Sequence, residues 1–401
     1  MNVRGIALAL STAASGCTPA PTAPTPAGWQ AVATLLDSVI AEGTAPGAVV
    51  AVSLHGRHYF HGAGRLGNDD PTRPDSSTLY DLASLTKVVG LTTLAIEAVN
   101  EGRLDLDAAV VRYLPEFGGA LGDSIRATIR IRQLLTHSSG LPAWRPLYQE
   151  TATRADALAL ADTTPLAAAP GAVFVYSDLG AIVLTQVIER LLGARIDTLF
   201  AARIAKPLGL TDTRYLPPAS LRDRIAPTEN DPWRGRVLQG EVHDENAARL
   251  DGVSGHAGLF SSARDLLRFA DWLLDAATDR ELGKGKGGKE DIGGSSPHPP
   301  LPRSLILEFT RRQDIPAGSS RALGWDTPSD GSSGGHYLGP GSFGHTGFTG
   351  TSIWIDPGRR LAIVLLSNRV HPTRDNPRFG PVRALIADRV IASLSVDSIT
   401  H

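Results

Sequence analysis

Two pairs of strand-like segments stand at opposite ends of this 401-residue chain, and that separation limits the folds open to it. Near the start, GAVVAVSLHG and RHYFHGAG are β-branched and aromatic-rich runs joined at His55-Gly56, a two-residue hairpin signal. Near the end, TSIWIDP and RLAIVLLSN form a second pair. A helix-spaced segment lies outside each pair: AGWQAVATLLDSVIAEG before the first, VRALIADRVIASL after the second. Strands left unpaired at either end would expose their hydrogen-bonding edges. The economical arrangement is therefore one antiparallel sheet completed by N- and C-terminal segments and flanked by helices, an α+β class. The stretch between, about 105–250, reads mostly as short helices and loops, including a helix from Ala181 to Leu192, and is expected to form a mostly helical second lobe.

The margins of the chain have a different character. MNVRGIALALSTAASGC has one basic residue, a short apolar run and small residues before Cys17, and resembles a bacterial secretory signal ending in a lipobox. On that reading residues 1–17 are the signal, Cys17 is lipidated and is the only membrane attachment, and the protein is exported to the periplasm or cell envelope. The alternative is a plain cleaved signal with an incidental cysteine. Residues 18–27, TPAPTAPTPA, read as a stiff Pro-rich linker, and 28–398 as the folded domain. A Gly/Ser/Pro-rich segment at about 278–302 reads as a disordered insertion. Net charge is −2, with no basic face or tail, so nucleic acid is not an expected partner.

Charge usage singles out one position. The chain has 34 Arg and five Lys, and three of the lysines crowd the Gly-rich insertion. Lys87 instead stands in the apolar stretch DLASLTKVVG, three residues after Ser84. A guanidinium cannot lose its proton at workable pH and an amine can, so a lysine here points to proton transfer. If Ser84 opens the following helix, the hydroxyl and the amine share one face beside unpaired backbone N–H groups at the positive helix end. Alone, S-x-x-K is weak, because a serine at a helix start is usually a cap. Two further elements strengthen it: Tyr176-Ser177-Asp178 directly before a helix, and His345-Thr346-Gly347 leading into a strand.

With those three motifs in that order, the chain resembles the penicillin-recognising serine hydrolases, the group of class C β-lactamases, D-alanyl-D-alanine carboxypeptidases and related esterases. LLTHSSGLP, HDENAARLDGVSGHAGLFSSARDLLRFA and SNRVHPTRDN are also similar to segments of that group. The resemblance implies a β-lactamase/transpeptidase-like fold and no cofactor or metal. It makes Ser84 the nucleophile, Lys87 its activating partner and Tyr176 a second proton carrier. Asp178, His345, Thr346, Gly347 and Phe348 would contact substrate, with the backbone N–H groups of Ser84 and Phe348 forming the oxyanion hole.

Two positions depart from the group. Asp178 stands where many relatives have asparagine, and an ionised aspartate accepts but does not donate. His345 stands where β-lactamases usually carry lysine, and a neutral imidazole attracts a carboxylate less. The expected function is therefore an exported serine acyl-hydrolase acting on peptidoglycan-derived D-amino-acid peptides or small esters. A β-lactamase is the alternative within the enzymes, and a non-catalytic penicillin-binding or cell-wall-sensing lipoprotein the alternative outside them. Tyr176 reads as a proton relay working with Lys87. Arg369 and Arg374 read either as a replacement carboxylate clamp or as surface charges and ties to the last helix. The GSSGG run at 331–335 matches a nucleophile elbow only formally and reads as loop; His243, Asp244, Glu245, His256 and His137 read as structural.

Overall fold

The computed structural model describes residues 28–118, 123–278 and 301–395. Cys17, the linker at 18–27 and most of the 278–302 insertion lie outside the described residues.

Five antiparallel strands form the main sheet: β1 (Gly47–Leu54), β2 (Arg57–Gly64), β3 (Phe343–Thr346), β4 (Ser352–Asp356) and β5 (Leu361–Ser367), in the order β2-β1-β5-β4-β3. The join between the two ends of the chain is the central β1–β5 ladder, with Ala48 opposite Ser367 and Leu54 opposite Leu361. β1 and β2 turn at His55 (φ 52°) and Gly56 (φ 80°), two consecutive positive-φ residues that match the right-handed strand twist. β3 is a separate four-residue strand at the sheet edge, where the sequence pattern showed only a lead-in to β4. Its Gly344 packs so closely on Trp354 and the Ile353 carbonyl that a Cβ would lie 2.4 Å from each.

The central strands read as apolar runs because both sheet faces are covered. Ala48, Val50 and Val52, with Ile363 and Leu365, pack under α1 (Trp29–Ala41) and α5 (Val382–Ser395), the helices from the two chain ends. Val49, Ala51, Val364 and Leu366 face the other way, onto a core that includes α2 (Thr93–Asn100), α3 (Asp178–Leu192) and α4 (Ala263–Ala277). The helical lobe therefore has no separate core: its apolar side chains continue those of the inner sheet face. Each buried Val, Leu or Ile contributes roughly 1.5–3 kcal/mol of apolar burial, and one continuous core makes the placement of the sheet edge and the helical lobe interdependent. The candidate site lies where they meet.

Candidate active site

The nucleophile segment begins with a clamp. Asp81, fully buried, accepts from the backbone N–H of Ala83 (2.8 Å) and of His243 (2.6 Å). Burial raises its carboxyl above the usual range, against the opposing pull of those two bonds. Thr349 and Thr351, from the β3–β4 connection, donate to the carbonyls of Asp81 (2.7 Å) and Leu82 (3.0 Å). Held this way, Ala83 adopts φ 46°, a left-handed conformation that a non-glycine residue enters at a cost of about 1–2 kcal/mol. The strained residue directly precedes Ser84. From Ser84 the chain enters a helical turn, then a π-helical stretch over Lys87–Thr92 before α2 begins. Such widened turns recur at functional sites, and nothing in the local sequence signals this one.

Lys87 is 3% exposed and its amine is surrounded. Nζ donates to Ser84 Oγ (3.0 Å) and to the His256 carbonyl (3.0 Å), and pairs with Asp178 Oδ1 at 2.7 Å. The Tyr176 ring centroid is 5.0 Å from Nζ. Burial disfavours the ammonium, but the Asp178 carboxylate and the neighbouring Tyr176 hydroxyl outweigh it, and the pKa of Lys87 is held above its ordinary value. The amine expected from sequence to shed its proton readily is thus held charged by Asp178. Tyr176 Oη is buried and makes no well-aligned hydrogen bond, although it lies near enough to Lys87 to act on its charge. Misaligned contacts of this kind are common in unliganded catalytic sites.

Tyr176 is placed by its neighbours in sequence and space. Ser177 caps α3, its Oγ accepting from Gly180 N (3.1 Å), so Asp178 falls in the first helical turn and faces Lys87. The helix therefore starts three residues earlier than the Ala181 read from sequence. His137, at φ 55°, accepts from the Ser177 N–H through Nδ1 (3.1 Å), and its ring lies 4.5 Å from that of Tyr176. Burial, then the charges of Arg321 and Lys87, push its pKa well down, so it is a neutral prop for the tyrosine.

On the opposite wall, β3 presents His345 and Thr346, and the chain continues through Gly347 and Phe348. His345 Nδ1 lies 2.7 Å from the Thr346 carbonyl. A carbonyl only accepts, so Nδ1 carries the proton and Nε2, buried and unpartnered, offers a lone pair. Burial and the charges of Arg321 and Lys87 hold the ring neutral, well below the ordinary histidine pKa. Gly347 is required sterically: a Cβ there would come within 2.4 Å of the Leu82 carbonyl and 2.1 Å of Thr351 Oγ1. The backbone N–H groups of Ser84 and Phe348 donate to no other described residue. The Phe348 side chain is half exposed and stacks on His243, with ring centroids 5.7 Å apart.

These walls enclose an open cavity of about 550 Å³ lined by Ser84, Tyr176, Asp178, His345, Thr346, Gly347 and Phe348, with Lys87 beneath Ser84. The eight residues selected from sequence thus meet in one place. His243 and His256 act as struts, bound to Glu229 (2.9 Å) and Asp244 (2.8 Å). Ser333 of the GSSGG run accepts from Trp354 Nε1 (3.2 Å) in a loop at the cavity edge. Arg374 is committed to Glu229 (2.6 Å) and Glu245 (2.7 Å), and Arg369 to the Phe348 carbonyl (2.8 Å), so neither is free to act as the carboxylate clamp and neither ties to the last helix: both brace loops around the cavity. Sequence reasoning missed Arg321, which enters the same cavity from a loop without any motif.

Comparison with known proteins agrees with this geometry. Residues 32–388 match the family model described as Beta-lactamase. A putative D-alanyl-D-alanine carboxypeptidase of Salmonella typhi is 32% identical over 340 residues, spanning 78% of this chain and 74% of the relative. Among solved structures, a beta-lactamase from Sulfitobacter sp. EE-36 superposes with a TM-score of 0.68 at 23% identity, covering 92% of this chain and 100% of that one. EstCE1, a hydrolase with promiscuous acyltransferase activity, gives 0.66 at 24% identity, over 89% and 98% of the two chains. With the family model matching most of its length and a relative 32% identical over 340 residues, the chain belongs to the beta-lactamase family and is a serine hydrolase of that family.

Proposed function

We propose that the protein works through a Ser84-Lys87-Tyr176 site and a covalent acyl-enzyme, on D-amino-acid peptides derived from peptidoglycan or on small esters. The observation that carries the reading is the 3.0 Å bond from Lys87 Nζ to Ser84 Oγ at the floor of a cavity that Tyr176 also lines. The Lys87/Tyr176 pair must first lose one proton to solvent, because an ammonium beside a neutral phenol contains no base. It then takes the Ser84 hydroxyl proton as Oγ bonds to the substrate carbonyl carbon. The resulting oxyanion sits on the backbone N–H groups of Ser84 and Phe348. Collapse breaks the bond to the leaving group, which receives the proton from the pair, and a water repeats the sequence to free Ser84.

Several features favour a peptide or ester over a β-lactam. His345 is neutral and offers a lone pair, so it gives no cation to the carboxylate that a β-lactam carries and a small ester lacks. Asp178 presents a carboxylate, not an amide donor, at the cavity. The Salmonella typhi relative bears a carboxypeptidase name. The wild type is expected to turn over short-chain nitrophenyl esters at least tenfold faster, in kcat/KM, than a chromogenic cephalosporin, whose carboxylate, like that of a D-Ala-D-Ala peptide run beside it, lacks a charged contact at His345. A cephalosporin hydrolysed faster than both would establish a β-lactamase instead, and failure on all three together with no covalent labelling would favour the binding-protein reading.

Export with lipid attachment at Cys17 belongs to the same proposal, on the strength of the segment preceding it. In a bacterial host the full chain is expected in the membrane fraction, and Cys17→Ser in the soluble fraction. A wild type that is soluble after cell disruption would remove the anchor from this picture.

A further inference from the structure

We propose that Arg321 is the group that binds a substrate carboxylate, receiving it from the Tyr176 side of the cavity. This deepens the function proposed above, and it depends on Ser84 being the nucleophile only for the position of the scissile bond.

Four arginines line the cavity, and three have their donors committed. Arg374 is paired with Glu229 and Glu245. Arg369 donates to the carbonyl of Phe348 at 2.8 Å and to those of Arg374 and Asn376 at 3.4 Å. Arg383 donates to the carbonyls of Gly347 (2.7 Å) and Thr351 (3.3 Å). Arg321 differs: its Nε and Nη1 are buried and have no hydrogen-bond partner. Its ion-pair neighbour, Asp326, approaches only Nη2, with Oδ2 at 3.8 Å and too far for a hydrogen bond, while Asp326 Oδ1 is held by Ser320 Oγ (2.8 Å) and the Thr327 N–H (3.0 Å).

Unpaired buried donors on a cation are expensive, and a planar guanidinium can present Nη2, which makes no hydrogen bond at 3.8 Å from Asp326, together with Nε or Nη1 in the spacing of a carboxylate. The guanidinium is also held in position without using its donors. Its carbon lies 5.3 Å from the ring centroids of both Phe174 and Tyr176, which offer their faces to the charge. The other candidate position for an anion, His345, presents only a lone pair and repels one. Arg321 therefore supplies the positive charge that the histidine does not, from a different wall.

The rival role is a brace for the Tyr176 ring, and matched substrates separate the two. Phenyl acetate and 3-carboxyphenyl acetate share the acyl group and differ by one carboxylate on the leaving group. In Arg321→Gln, kcat/KM for the carboxylated ester is expected to fall about 10- to 100-fold further than kcat/KM for phenyl acetate, the extra loss appearing as a raised KM. Arg321→Lys should recover part of the loss, as a charge without the planar fork. Equal losses on both esters would make Arg321 a brace and overturn the proposal.

A second arm needs no turnover. The Ser84→Ala protein is titrated calorimetrically with 3-hydroxybenzoate, and adding Arg321→Gln should weaken binding about tenfold or more. Unchanged binding overturns the assignment of Arg321. Weakened binding alongside a wild type inert to both esters would keep Arg321 and sink only the acyl-hydrolase reading.

Discussion

Ser84→Ala is expected to lower kcat/KM for the best ester or peptide substrate on the order of 10⁴- to 10⁶-fold, the scale on which losing a nucleophile removes the covalent route. Fluorescent penicillin and fluorophosphonate probes should label the wild type and leave the variant unmarked. Stability is the control. The Ser84 hydroxyl accepts one bond, from Lys87, so its loss costs about 1 kcal/mol and the melting temperature should move by only a few degrees. A variant that still carries label would place the nucleophile elsewhere, and the Ser-Lys-Tyr scheme would fall with it.

Lys87→Met should reduce kcat/KM by about 10²- to 10⁴-fold, the range for removing a positioned proton carrier. Added to Ser84→Ala, it should cost little more, because the two residues act as one unit. The methionine variant leaves the Asp178 carboxylate without its cation. Asp178 faces the open cavity, so the damage should be smaller than for a fully buried pair, and Lys87→Met/Asp178→Asn should recover stability without recovering turnover.

Asp178→Asn alone tests the electrostatics. Burial opposes the Lys87 charge, and the carboxylate is the main force keeping it protonated. Removing that negative charge makes the proton easier to lose, so the acid limb of the kcat/KM profile should move to lower pH, by about one unit or more. A limb that stays in place or moves upward would show that Lys87 does not belong to the group whose deprotonation activates the enzyme.

The sequence carried those parts of the molecule that depend on local pattern. Runs such as GAVVAVSL and LAIVLLS read as strands, and a lone lysine three residues from a serine in an arginine-rich chain stood out by composition. Ser84 and Lys87 were legible for that reason, and Tyr176 and the His345-Thr346-Gly347 edge through the order of the motifs and the family resemblance they carry. What stayed hidden depends on contacts between distant segments. Arg321 looks like any loop arginine, and its unspent donors become visible only when Asp326 proves to be already bonded and the Phe174 and Tyr176 rings enclose it. Arg374 illustrates the converse. A cation at the cavity lip suggested a clamp, but Glu229 and Glu245, well over a hundred residues earlier, already occupy it. The π-helical stretch after Ser84 has no sequence signature either; Gly90 within it is packed so that a Cβ would meet Leu259 and Tyr215 at 3.2 and 3.3 Å.

The central ladder also dictates when this protein can become itself. Ala48 pairs with Ala63 on one side, but its partner on the other is Ser367, so a chain emerging from the ribosome holds β1 with an open side until nearly all of the polypeptide has been made. Pairing across so long a loop is slow, and the waiting strand invites association with other chains. The architecture therefore closes late, with no nearly complete domain until the final strand is made. It also means that a message truncated before the final strand yields no enzyme of reduced efficiency; it yields a sticky fragment for proteases to clear.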